Sequence, residues 1–100
     1  MNLYVINCGK IESEEDFLAA YIHTVKPDGS QYFGRNLDAL WDALSAGGPG
    51  FPDEEGSCEI QFVNTSKIKN LHNGVFYQRL KVIEKDLKTE SYGNVYIKVE

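Results

Sequence analysis

The residues Tyr32-Phe33-Gly34-Arg35-Asn36-Leu37-Asp38-Ala39-Leu40-Trp41-Asp42-Ala43-Leu44 read as a tight glycine turn, a helix cap and a short amphipathic helix. Asn36 can cap a helix running from about Asn36 to Ala46, and Gly47 can take the left-handed conformation that ends one. At about 100° per residue, Leu37, Leu40 and Leu44 cluster on one side, which is the core face. Asp38, Asp42 and Ser45 cluster on the other, with Trp41 between them. Two carboxylates one turn apart repel each other. A Trp at the edge of an acidic face is costly to leave in water. A helix that only has to pack requires neither. A basic, cleft-bearing partner would turn both penalties into binding energy.

Outward from this helix, the chain alternates strands with helices. Leu3-Tyr4-Val5-Ile6-Asn7 reads as a short buried strand ended by Cys8-Gly9. Ser13 caps a helix whose first turn holds Glu14, Glu15 and Asp16 at the positive end of its dipole. Lys26-Pro27-Asp28-Gly29 stops it. The segment 47–56, rich in Gly, Pro and acids, reads as a surface loop. A second strand follows over Glu59–Val63, then a short helical turn capped by Thr65 or Ser66. The longest helix covers roughly Val75 to Lys88, with a core stripe of Phe76, Leu80, Ile83 and Leu87. The third strand is Val95–Val99. Strands joined by helical crossovers are parallel, with right-handed connections. Val95, Ile97 and Val99 alternate with Tyr96 and Lys98, so helices are expected on one sheet face only. The predicted fold is α/β: a three-stranded parallel sheet packed by about four helices in a single two-layer domain spanning residues 1–100.

A chain of 100 residues can hold itself with one core, burying roughly 60–70% of its unfolded surface. Fifteen acids against ten bases give a net charge of −5, which disfavours nucleic acid and anionic membranes as direct partners. The absence of an apolar run near membrane length and of a basic, apolar leader at Met1–Ile6 leads us to expect a cytoplasmic protein. Cys8 follows the first strand and Cys58 precedes the second. In parallel neighbours those positions lie about 15 Å apart, and a disulfide needs Cα atoms within roughly 7 Å. Two free thiols are expected.

Catalytic and metal-binding motifs are missing. His23 and His72 sit on different elements without a second ligand at metal spacing. No phosphate-binding glycine loop, zinc-protease motif or nucleophile elbow occurs. Asp38 and Asp42 as an acid–base pair would need a concave pocket that splits their pKa values, which neighbouring turns of an exposed helix do not provide. Lys67, Lys69, Arg79, Lys81, Lys85 and Lys88 are interleaved with Glu84, Asp86 and Glu90, which reads as a solvated helix face. No cofactor or metal is expected.

The stretch 32–44, Tyr-aromatic-Gly-x-Asn-Leu-Asp-Ala-Leu-Trp-Asp-x-Leu, closely resembles the signature of the barstar family of intracellular ribonuclease inhibitors. Val5-Ile6-Asn7, Asn73-Gly74 and the order of elements extend the resemblance over most of the chain. It implies a protein that plugs the active-site cleft of a basic ribonuclease or nuclease toxin domain, as a monomer or in a one-to-one complex. On that reading Tyr32 packs against the enzyme's basic site, and Asp38 and Asp42 accept hydrogen bonds from its cationic groups. Asp42 takes the place of a substrate phosphate, and Trp41 supplies apolar contact. Asn36 and Ser45 are expected to belong to the same partner-binding set. Aligning through Asn73-Gly74 puts Glu84 at the family's acidic position on the last helix. Phe33 replaces a Tyr of the family pattern, Arg35 stands where an acid is common, and the loop 47–57 is longer than expected. The alternatives are a non-inhibitory binding module for another basic partner and, from a third class, an enzyme using Asp38 and Asp42.

Overall fold

The computed structural model describes residues 2–52 and 56–100. Three parallel strands, β1 (Asn2–Asn7), β2 (Cys58–Val63) and β3 (Val95–Val99), lie in the order β1-β2-β3. Helices α1 (Glu14–Val25), α2 (Leu37–Ala46) and α3 (Val75–Glu90) form the crossovers. The sheet is the expected one. The helix count is not: the described residues hold three α-helices rather than about four.

The segment expected as a fourth helix is a 3₁₀ stretch over Ile68–Gly74, interrupted at Leu71, His72 and Asn73 by non-helical backbone. His72, Asn73 and Gly74 all have positive φ, so the chain turns sharply there before α3 starts. The Thr65 hydroxyl does not cap this stretch. It donates to the carbonyl of Glu100 at 2.9 Å and ties the buried Thr65 to the end of the chain.

Register explains the two layers. Tyr4, Ile60 and Ile97 align across the sheet on the helix-facing side. Leu3, Glu59 and Tyr96 form a row on the other face, and Val5, Gln61 and Lys98 form the next. No helix among the described residues covers that second face, so β1 is not the buried strand its apolar sequence suggested. It is an edge strand, with Leu3 and Val5 exposed and only Ile6 fully buried. β2, paired on both sides, buries Cys58, Ile60 and Phe62.

The core lies between sheet and helices. Phe17 of α1 stacks on Phe62 at 4.6 Å and meets the edge of Phe76 at 5.0 Å, joining α1, β2 and α3 through one aromatic cluster. The expected α3 stripe of Phe76, Leu80, Ile83 and Leu87 is buried as a whole. Burying four such side chains contributes about 6–12 kcal/mol before entropy is charged against it. Cys8 and Cys58 are buried, not joined in a disulfide, and lie near opposite ends of the β1–β2 pair.

The loop after α2 needs a correction. Gly50 and Pro52 are buried rather than on the surface, and the Tyr21 hydroxyl donates to the Gly50 carbonyl at 2.7 Å. Phe51 meets Tyr92 edge-on at 5.2 Å, and the Tyr92 N–H donates to Leu44 O. Residues 48–52 therefore seal the end of the core between α1 and the α3–β3 turn. The rest of the anticipated loop, residues 53–55, lies outside the described residues.

Candidate functional site on helix α2

Three contacts fix α2 at its N-terminus. The Asn36 side chain accepts the Ala39 N–H at 2.8 Å, which is the cap its sequence position implies. The Leu37 N–H, another donor with no partner inside the helix, goes to the Glu14 carboxylate at 3.0 Å. Arg35 lies 3.9 Å from Glu15, a solvent-exposed pair that contributes little by itself. At the other end Gly47, with φ of 74°, closes the helix by donating to the Ala43 and Asp42 carbonyls.

The faces divide as the leucine spacing required. Leu37, Leu40, Ala43 and Leu44 are buried, and Asp38 and Asp42 are exposed. Trp41 is half-buried, its ring packed on the edge of the core. Tyr32 stands 74% exposed on the short 3₁₀ turn Ser30–Tyr32 that leads into the helix. An aromatic side chain that open to water gains nothing from folding. Ser45 is half-buried, and its hydroxyl donates to Trp41 O at 2.6 Å. Phe33 points inward: it is buried, 5.8 Å from the ring of Tyr21. The hydroxyl that a Tyr would carry there has no place on the exposed face.

Two features were not anticipated from the sequence. The first is an open groove of about 430 Å³ between α2 and α3, formed by Asp38 and Trp41 on one side and Gln78, Arg79, Val82 and Asp86 on the other. Val82 is 55% exposed there. Positions 79, 82 and 86 recur at helical spacing beside the core stripe, so a second, mixed face was readable. Interleaved charges disguised it as ordinary solvated surface. The second is the partner of Asp38. Arg79 Nη2 donates to its Oδ1 at 2.8 Å across the groove. Asp42 has no ion pair among the described residues.

Glu84 is not brought to this face. Its carboxylate accepts the Val99 N–H at 2.6 Å and pairs with Lys81 at 2.7 Å, on the flank of α3 that faces β3. The hydrogen bond from Lys81 to Glu84 raises the Lys81 ammonium above its usual pKa of 10.5. The acid that α3 does bring to the groove is Asp86.

Among the described residues no group of three or more His, Cys, Asp or Glu side chains could hold a metal ion. No helix among them is long and apolar enough to cross a membrane. The chemistry on offer at α2 is that of a surface: one free carboxylate, one paired carboxylate, an exposed phenol and an indole edge. Such a set is chemically complementary to cationic groups.

The fold and this acidic helix define a small α/β protein with a three-stranded parallel sheet. The chain matches the model of the family described as Barstar (barnase inhibitor) over residues 1–94, and it belongs to that family. No curated protein matches it at significant similarity.

Proposed function

We propose that this protein inhibits a cognate ribonuclease, or serves as the immunity protein to a nuclease toxin domain, by laying α2 across the enzyme's phosphate-binding cleft. The observation that carries this reading is Asp42. It stands exposed and unpaired among the described residues, on a helix whose opposite face is wholly buried. A nuclease cleft is built to receive phosphate, and Asp42 supplies a carboxylate in its place. Asp38, held by Arg79, lies one turn away, and Tyr32 and Trp41 supply aromatic area of the kind that dominates binding hot spots. Asn36 and Ser45 act within the helix, one as its cap and one bonded to Trp41 O. Glu84 supports β3.

On this reading the protein has no catalytic role of its own and forms a one-to-one complex in the cytoplasm. Its net charge of −5 steers it toward a cationic enzyme and raises the on-rate. The test is capture of the partner from the source cell and assay of its RNA cleavage with and without an equimolar amount of this protein. Suppressed cleavage, relieved by Asp42→Ala through faster dissociation, is expected. A partner without nuclease activity, or one cleaving undiminished in the complex, overturns the proposal.

A further inference from the structure

Asp38 and Asp42 are one turn apart on α2, yet they are in different electrostatic states. Arg79 reaches across the groove from α3 and holds Asp38 at 2.8 Å, while Asp42 is left open. The Arg79 side chain is 46% exposed and that of Asp38 89%, so the pair itself adds little to stability. Its effect falls on whatever docks over it. A cation approaching Asp38 meets a carboxylate already neutralised and a guanidinium of its own sign. Once docking excludes water, like charges side by side are strongly disfavoured.

We infer that Arg79 masks Asp38, so that this face discriminates against nuclease clefts lined by cations alone. The inference rests on the nuclease-binding reading above. A cleft that fits sets one cation over Asp42 and, beside Asp38, a cation accompanied by a carboxylate that takes over Arg79. Trp41 and Val82 supply the apolar floor on which such a pair sits. Arg79 cannot be carried away from the site by movement of α3, because Phe76, Leu80 and Ile83 anchor the helix in the core around it. Only the side chain can swing.

Barnase, the enzyme in the family's description, is a defined probe. Its dissociation constant is measured with the wild type, Arg79→Ala, Asp38→Ala and the double variant, at low and high salt. Masking predicts that Arg79→Ala binds roughly tenfold tighter at low salt, with the gain shrinking as salt rises. It also predicts that the gain disappears when Asp38 is already Ala, a non-additivity expected of two side chains in contact. A change from undetectable to measurable binding counts as tightening. Unchanged or weaker binding by Arg79→Ala overturns the inference. So does an equal gain in the Asp38→Ala background, which would reflect net charge alone. Asp42→Ala separates the two levels. If it fails to weaken a complex that forms, the nuclease reading falls; if it weakens the complex while Arg79→Ala changes nothing, only the mask falls.

Discussion

The Glu14 carboxylate accepts the backbone N–H of Leu37 at 3.0 Å, so the first turn of α1 caps the first turn of α2. An acid in a helix's first turn ordinarily serves the dipole of its own helix. Here it also serves the next one, through a charge-assisted bond to a donor that α2 could not otherwise satisfy within itself. The consequence is a binding helix fixed at its start before any partner arrives, which lowers the ordering cost of association.

Glu14→Ala should therefore destabilise the protein by about 1–2 kcal/mol, since it removes a hydrogen bond to a charged acceptor and leaves a part-buried N–H unpaired. Glu14→Gln keeps an acceptor and should cost less. Urea denaturation measures both. A lower midpoint with an unchanged slope marks a stability effect rather than a changed denatured state. Identical midpoints for wild type and Glu14→Ala would show that water replaces the carboxylate without cost.

The loop after α2 gives a second prediction. Gly50 has φ of 94°, and a Cβ built there runs into the ring of Phe33. Gly29 has φ of 75° with open space around it. Gly29→Ala isolates the cost of the left-handed backbone, about 1–2 kcal/mol. Gly50→Ala adds overpacking against a buried ring and should cost about 2–5 kcal/mol in all. Thermal denaturation of the two variants side by side decides it. Equal losses would mean that Phe33 shifts aside freely, and that the loop does not seal the core.

These two sites show what could be read from residues and what could not. The α2 leucines, the Asn36 cap and the α3 stripe were legible because helical spacing converts directly into a buried face. The helical crossovers implied parallel strands, and the alternation in β3 implied a single covered side; the apolar run of β1 did not reveal an edge strand with Leu3 and Val5 exposed. Gly50 was not legible, because a run of Gly and Pro looks like solvent-exposed loop whether or not a distant Tyr21 donates to it. The Asp38–Arg79 pair joins residues 41 positions apart on different helices, and no local pattern reports such a contact. Glu84 was placed by counting along the chain from Asn73-Gly74. The count gave its position on α3 but not its direction, which is toward β3.

That direction makes Glu84 a structural residue in our reading. Its carboxylate caps the Val99 N–H and holds Lys81, with only 18% of its side chain exposed. Glu84→Ala should cost about 1–3 kcal/mol of stability through the orphaned N–H. It should leave affinity for the nuclease within about twofold, the range of ordinary surface changes. Calorimetric titration paired with denaturation separates the two effects. A large loss of affinity at unchanged stability would return Glu84 to the binding face.

The Cys8 thiol sets a pH dependence. Burial, aided by the charge of Glu100, pushes its pKa from 9.0 up to about 11. The thiol is fully enclosed after β1 and lies 3.8 Å from the Ile6 carbonyl. The folded-state value is raised above the unfolded one, so the unfolded chain loses this proton first as pH increases. Stability from this group is therefore fully present below about pH 9 and is lost as pH climbs toward 11. Cys8→Ala removes the ionisation while keeping a small apolar group. Its stability relative to wild type should rise steadily between pH 9 and 11, from a deficit at neutral pH set by lost packing. Urea midpoints at a series of pH values supply the comparison. The same burial predicts that a thiol reagent at neutral pH modifies Cys8 only as fast as the protein opens. Parallel pH curves for the two proteins, or rapid modification of the native thiol, would show that Cys8 reaches water without unfolding.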